Sequence, residues 1–156
     1  LKAGRGAVVN ISSIGGRMVT PVLGAYCASK YALEALSDAL RLELAPFGVR
    51  VVVVEPGSSP TAIWTTSLDR MGGADGSARI GPYGALAEAV RLGADRSART
   101  GFPPEALAVL IHQILTTERP RARYGFPRSA SRAIALRRFL PDWLVDRAIR
   151  RALKWR

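Results

Sequence analysis

Two periods alternate along the 156-residue chain. Gly6-Ala7-Val8-Val9-Asn10-Ile11-Ser12 is a short, mostly apolar run after a glycine turn, and Val49 to Val54 is a β-branched run broken only by Arg50. Both have the pattern of a buried strand. Between them, Ser13 to Gly24 reads as a loop, with Gly15-Gly16 and Thr20-Pro21 as breakers. From about Ala25 to Phe47 there is no glycine, and Leu33, Leu36, Leu40, Leu44 and Phe47 recur at steps of three and four. That spacing predicts one apolar stripe on a long helix, ended by Gly48. Ala28, Ala32, Ala35 and Ala39 form a second stripe of small residues, suited to close helix packing.

Beyond Pro56-Gly57 the pattern loosens. Thr61 to Arg70 starts a short helix, Met71 to Pro82 is Gly-rich, and helices are predicted over Tyr83–Arg99 and Pro104–Glu118, the latter with proline in its first turn. Ala122 to Gly125 is a candidate short strand, and basic helices near Ser131–Phe139 and Asp142–Trp155 finish the chain. Strand, long helix, strand implies parallel pairing with a right-handed crossover, hence an α/β fold. No repeat or domain boundary interrupts it.

Composition narrows the classes. The chain is 48% hydrophobic and 22% charged, which supports a core and excludes a disordered tail or a collagen-like repeat. The single cysteine, Cys27, cannot form an internal bridge, so a reducing, cytoplasmic compartment is expected. Of the net charge of +11, residues 101–156 hold +8, with 12 basic against 4 acidic side chains. In the last helix Arg147, Arg150, Arg151 and Lys154 share one face, with Leu144, Ala148, Ala152 and Trp155 on another. Such a helix can lie on an anionic membrane surface; an amphipathic cap on the protein's own core is the favoured alternative. No nucleic-acid module or aromatic stacking array accompanies the charge, so no nucleic-acid partner is expected.

Candidate chemistry concentrates between Ser12 and Thr61. Tyr26 and Lys30 lie four residues apart at the start of the long helix and project from one face. A phenol needs its anion favoured before it can exchange protons near neutral pH, and an ammonium one turn away does that. Ser13 follows the first strand, where ligands bind in open α/β sheets, so a hydroxyl and a phenol are expected to converge on an alcohol or carbonyl oxygen. A lone Tyr-x-x-x-Lys is a weak signal, more often a surface pair. Here it stands with Asn10-Ile11-Ser12-Ser13 after a strand and Glu55-Pro56-Gly57 after the next, with Thr61 beyond.

With these motifs the sequence resembles the classical short-chain dehydrogenase/reductase family, closely over residues 4 to about 66 and loosely beyond. Gly24-Ala25-Tyr26-Cys27-Ala28-Ser29-Lys30-Tyr31, Glu34-Ala35-Leu36-Ser37-Asp38 and Phe47-Gly48-Val49 are most similar to its retinol and hydroxysteroid dehydrogenase branch. The resemblance implies a Rossmann-like, doubly wound parallel sheet with helices on both faces. It implies an NAD(P)-dependent oxidoreductase interconverting an alcohol and a carbonyl on an apolar steroid, retinoid or lipid-like substrate. Ser13 would hydrogen-bond the substrate oxygen, Tyr26 would be the general acid or base, and Lys30 would lower the Tyr26 pKa and bind the nicotinamide ribose. Pro56, Gly57 and Ser58 would line the nicotinamide side, and Thr61 would contact the carboxamide or a phosphate, with NAD or NADP as cofactor. A homo-oligomer at full length is also implied.

The family's glycine-rich turn, Asn-Ala-Gly motif and catalytic asparagine are not found here, and Gly15-Gly16 lacks the spacing of a dinucleotide fingerprint. The chain is therefore expected to be the carboxyl-terminal part of one Rossmann-like domain: residues 1–60 a catalytic core, 61–100 a substrate-lid region, 101–156 helices and a short strand. Alone it is expected neither to hold cofactor well nor to turn over; the alternative is a truncated, non-catalytic binding or membrane-surface protein. Asn10 is expected to be structural, Cys27 a packed thiol, and His112 a surface or satisfied side chain. No metal site is expected.

Overall fold

A computed structural model describes residues 6–60 and 81–155 of the chain. Three strands, β1 (Ala7–Ile11), β2 (Arg50–Pro56) and β3 (Arg123–Phe126), form a parallel sheet in that order. Among the described residues there are five α-helices: α1 (Gly24–Leu44), α2 (Gly84–Arg99), α3 (Pro104–Thr116), α4 (Arg128–Arg137) and α5 (Asp142–Ala152). β3 runs one residue later than its sequence pattern predicts. α4 starts three residues earlier than predicted, directly after Pro127, whose extended backbone caps it.

The register sorts the side chains. Asn10, Val53 and Arg123 are aligned across the sheet, as are Ile11, Val54 and Tyr124. Because side chains alternate along a strand, Asn10, Val53, Glu55 and Arg123 share one face, while Val9, Val52, Val54 and Tyr124 share the other. On the second face Val52, Val54 and Ile114 of α3 are almost fully buried, with Val9, Leu107, Leu110 and Tyr124 packed round them. That face is a purely apolar core. On the first face lies α1, joined to the sheet by polar groups: Asn10 Nδ2 donates to Ser37 Oγ at 2.9 Å, and Ser37 Oγ donates to the Leu33 carbonyl at 2.6 Å. Helices thus cover both faces of a parallel sheet, as the Rossmann-like pattern requires.

The face α1 turns inward mixes polar groups with leucines: Leu33, Leu40 and Leu44 of the predicted stripe are half-buried there. Its buried residues are Cys27, Glu34 and Ser37, whereas Leu36 and Phe47 are more than half exposed. Ala28, Ala32, Ala35 and Ala39 are exposed as well, so the small-residue stripe does not pack on the sheet. α1 gives way to a 3-10 turn over Ala45–Phe47, and Gly48 closes it at φ 68°, a left-handed conformation that costs glycine little.

Candidate active site

The turn after β1 places Ser13. Ser12 N–H donates to the Val54 carbonyl at 2.8 Å, extending the ladder one residue past the strand. The chain then makes a single 3-10 turn, Ile14–Gly16, with Ser13 as its N-cap: Ser13 Oγ accepts from Gly15 N–H at 3.0 Å and the Ser13 carbonyl accepts from Gly16 N–H at 2.9 Å. A hydroxyl that accepts from a backbone N–H retains its own proton to donate. Ser13 is buried to 9% exposure, and the Gly15 N–H orients its hydroxyl while leaving the proton free to donate.

Tyr26 and Lys30 come from the first two turns of α1. Lys30 Nζ donates to the Ile11 carbonyl at 3.1 Å, at the very end of β1, and lies 5.9 Å from the centre of the Tyr26 ring. An ammonium has three donors, so two remain after that bond. The meeting of Tyr26 with Ser13 is marked by a missing side chain. A Cβ on Gly15 would stand 3.0 Å from Tyr26 Cε1 and 3.5 Å from Ser13 Oγ. Gly16 is held as tightly from below, its notional Cβ 2.7 Å from Ser12 Oγ and 3.1 Å from the Lys30 carbonyl. Read from sequence as loop breakers, Gly15 and Gly16 are instead the contact through which the Ser13 turn seats on α1; their place two and three residues after Ser13 was the available signal.

Pro56 ends β2, and Gly57 N–H donates to the Phe126 carbonyl at 2.6 Å. Gly57 and Ser58 line a cavity of about 310 Å³ together with Ile14, Phe102 and Pro127. Ile14 belongs to the same turn that Ser13 caps, so this cavity adjoins that turn. Phe102 and Phe126 meet edge to face with ring centres 4.8 Å apart, and Phe102 N–H donates to the Ser58 carbonyl at 3.3 Å. Thr61 and Trp64, with the 61–70 helix and nearly all of the Gly-rich 71–82 segment, lie outside the described residues.

A group of charges beneath this site was not foreseen from sequence. Glu34 of α1 and Glu55 of β2 are both buried, at 4% and 3% exposure. Arg123 reaches across from β3: Nε lies 3.2 Å from Glu34 Oε2 and 3.5 Å from Glu55 Oε1, and Nη2 lies 2.7 Å from Asp38 Oδ2. Arg17, at the end of the Ser13 turn, places Nε 3.5 Å from Glu55 Oε1. Burial first, and then the neighbouring Glu34 charge, push the Glu55 carboxyl above its ordinary value. Hydrogen bonding to Arg123 holds the Asp38 carboxyl below its own.

The remaining candidates have plain roles. Asn10 ties the sheet to α1 as described, Cys27 is a buried free thiol, and His112 is on the surface of α3. Among the described residues no group of three His, Cys, Asp or Glu side chains could hold a metal ion, and no helix is long and apolar enough to cross a membrane. In α5 the less exposed residues are Val145 and Ile149, followed by Leu153 and Trp155, rather than Leu144, Ala148 and Ala152. Trp155 stacks on Tyr83 with ring centres 6.4 Å apart.

Known proteins are similar to this chain in sequence and fold. The short chain dehydrogenase profile matches residues 1–72. The NADPH-dependent 3-dehydrocapnine reductase of Ornithobacterium rhinotracheale is 35% identical over 150 residues, covering 96% of this chain and 52% of that protein. Human retinol dehydrogenase 16 is 35% identical over 161 residues, covering 94% of this chain and 48% of its own length. A short-chain dehydrogenase from Streptomyces avermitilis superposes with a TM-score of 0.57 at 32% identity, over 92% of this chain and 52% of that one. The chain spans about half the length of the curated relatives it matches. Sequence and parallel sheet agree: the chain belongs to the short-chain dehydrogenase/reductase family.

Proposed function

We propose that the protein carrying this chain is an NAD(P)-dependent oxidoreductase that interconverts an alcohol and a carbonyl through Ser13, Tyr26 and Lys30. The observation that carries the reading is the close approach of the Tyr26 ring and Ser13 Oγ to the same point at Gly15, 3.0 Å and 3.5 Å from where a Cβ would stand. Ser13, which accepts from Gly15 N–H with one of its two lone pairs and keeps its own proton, donates that proton to the substrate oxygen. In reduction Tyr26 gives that oxygen a proton as negative charge develops on it; in oxidation it takes the proton back. The Lys30 ammonium, anchored on the Ile11 carbonyl, stands beside the ring to stabilise the phenolate that the first transfer leaves.

A nicotinamide cofactor supplies the hydride acceptor or donor when bound. The residues present fit one end of such a group. Gly57 and Ser58 offer backbone and a small hydroxyl on a cavity whose volume, about 310 Å³, is at the lower end of the ~300–1,000 Å³ usual for small-molecule sites. Pro56, Gly57, Ser58 and Thr61 would hold the nicotinamide, and the two remaining Lys30 donors would serve its ribose. An apolar substrate is supported by the Phe102–Phe126 pair beside the same cavity and by relatives named for retinol and 3-dehydrocapnine.

The test uses the protein as its gene encodes it, with NAD⁺ and NADP⁺ against a panel of primary and secondary apolar alcohols, followed by nicotinamide absorbance. Turnover with at least one pair is expected. Tyr26→Phe should lower kcat by about a thousandfold or more, within the range that removal of an acid–base group spans, and leave cofactor affinity within about threefold. Wild-type rates in Tyr26→Phe would refute the assignment.

A further inference from the structure

Three separate segments must keep a fixed relation for this site to work: the Ser13 turn, the first turns of α1, and the end of β2. Each carries one member of the buried charge group. Arg17 is the residue that closes the Ser13 turn. Glu34 is on α1, one turn after Lys30 and on the same helix face. Glu55 immediately precedes Pro56 and Gly57 on β2. Arg123 enters from β3 and contacts the second and third members, with Asp38 on α1 as an additional anchor. The charges balance: Arg17, Arg41 and Arg123 stand against Glu34, Asp38 and Glu55, with Arg41 Nη2 at 3.0 Å from Asp38 Oδ1.

The geometry of Arg123 is that of a clamp. A guanidinium is a rigid planar fork, so contacts to two carboxylates on one helix fix where that helix sits as well as how far away it is. Glu34 and Asp38 are four residues apart, one turn of α1, and Arg123 spans them with Nε and Nη2. The single Nε–H goes to Glu34, and Glu55 Oε1 lies 3.5 Å from the same Nε, an ion pair without a hydrogen bond that sets the end of β2 beside α1. Arg123 lies opposite Val53 in the sheet, on the face that α1 covers, which is why a residue so distant in sequence arrives there. Without the guanidinium, the buried Glu34 and Glu55 carboxyls would lose their shared cation, leaving Arg17 beside Glu55.

We infer that Arg123 is a positioning residue for the Ser13–Tyr26–Lys30 site, setting the register of α1 against the Ser13 turn and the end of β2 by clamping Glu34 and Asp38 and pairing with Glu55. This rests on the oxidoreductase reading above for its effect on rate, but its effect on order does not. Arg123 touches neither substrate nor cofactor; it acts through α1. Displacements of about 1 Å at reacting groups cost on the order of a hundredfold in rate, so its loss should appear in kcat ahead of KM.

The experiment compares the protein as encoded with Arg123→Lys and Arg123→Met, by steady-state kinetics and by amide hydrogen exchange over residues 12–17 and 24–34. Lysine keeps the charge and the fold while losing the fork, so Arg123→Lys should lower kcat about tenfold with KM within about threefold. Arg123→Met should lower kcat about a hundredfold. In both, exchange at residues 12–17 and 24–34 should quicken about tenfold or more while the α3 core keeps its protection. Unchanged exchange at those residues in folded Arg123→Lys would overturn the clamp, whether or not the protein turns over any alcohol. A full wild-type kcat in Arg123→Lys with quickened exchange would overturn it too. Absent wild-type turnover with quickened exchange would support the clamp and count against the oxidoreductase reading alone.

Discussion

Replacing Gly15 by alanine tests whether Tyr26 must stand where it does. The new Cβ would lie 3.0 Å from Tyr26 Cε1, where ordinary contact begins at 3.4 Å, so the ring or the turn must yield by about 0.4 Å. Ser13 Oγ, at 3.5 Å, is already at ordinary contact distance and need not move. Gly15 is in a regular 3-10 turn, so alanine there meets no left-handed strain. The ring is 38% exposed and can swing outward, so stability should change by no more than about 1 kcal/mol, at the mild end for overpacking. Catalysis has less tolerance. A phenol displaced by tenths of an ångström to 1 Å loses alignment with the substrate oxygen, and a 10- to 100-fold drop in kcat/KM is expected, about 1.4–2.7 kcal/mol of transition-state stabilisation. Steady-state kinetics with the best alcohol, beside a thermal melt of the same preparation, reads both. An unchanged melt with kcat/KM within threefold of wild type would refute the reasoning, because Tyr26 would then work from elsewhere.

Two further substitutions probe the two faces of the sheet separately. Ile114→Ala removes the α3 side chain buried against Val52 and Val54 at 1% exposure and should cost about 2–5 kcal/mol in a denaturant titration; a loss under 1 kcal/mol would mean that face is not the core. Glu55→Gln tests the other face through pH. Burial and Glu34 hold the folded-state Glu55 pKa above the ordinary 4.5, so the folded protein binds that proton more tightly than the unfolded chain does. The stability this adds is complete below pH 4.5 and is lost as pH rises through the folded-state value. The wild-type melting temperature should therefore fall relative to Glu55→Gln as pH is raised from 4.5 toward neutrality, and parallel curves would contradict the assignment.

The elements were legible wherever local chemistry decides them. β-branched Val51 to Val54 could only be a buried strand, a glycine-free stretch beginning near Ala25 had to be helical, and Gly48 and Pro56 marked real ends. Tyr26 and Lys30 were legible because four residues is one helical turn, a purely local relation. What sequence did not reveal is the polar part of the α1 side that faces the sheet. Leu33, Leu40 and Leu44 of the leucine stripe are half-buried, but Leu36 and Phe47 are exposed and Glu34 is buried, its carboxylate and that of Asp38 finding Arg123 across 89 and 85 residues of chain. A buried carboxylate is acceptable only beside its partner, and that partner is chosen by strand register, which no local pattern displays. In α5 Val145 and Ile149 are half-buried while Leu144 and Ala148 are exposed, and beyond its end Trp155 stacks on Tyr83. Gly15 and Gly16 were visible as turn residues, yet their closeness to α1 arises only after the turn docks on it.

The most direct test of the account is a crystal structure of the protein as encoded, with nicotinamide cofactor and an alcohol substrate bound. The account predicts one substrate oxygen within about 2.6–3.2 Å of both Ser13 Oγ and the Tyr26 hydroxyl, hydrogen-bond reach for the proton transfer, with Lys30 Nζ still on the Ile11 carbonyl. An oxygen bound beyond reach of either hydroxyl, or a nicotinamide seated away from Gly57 and Ser58, would contradict it.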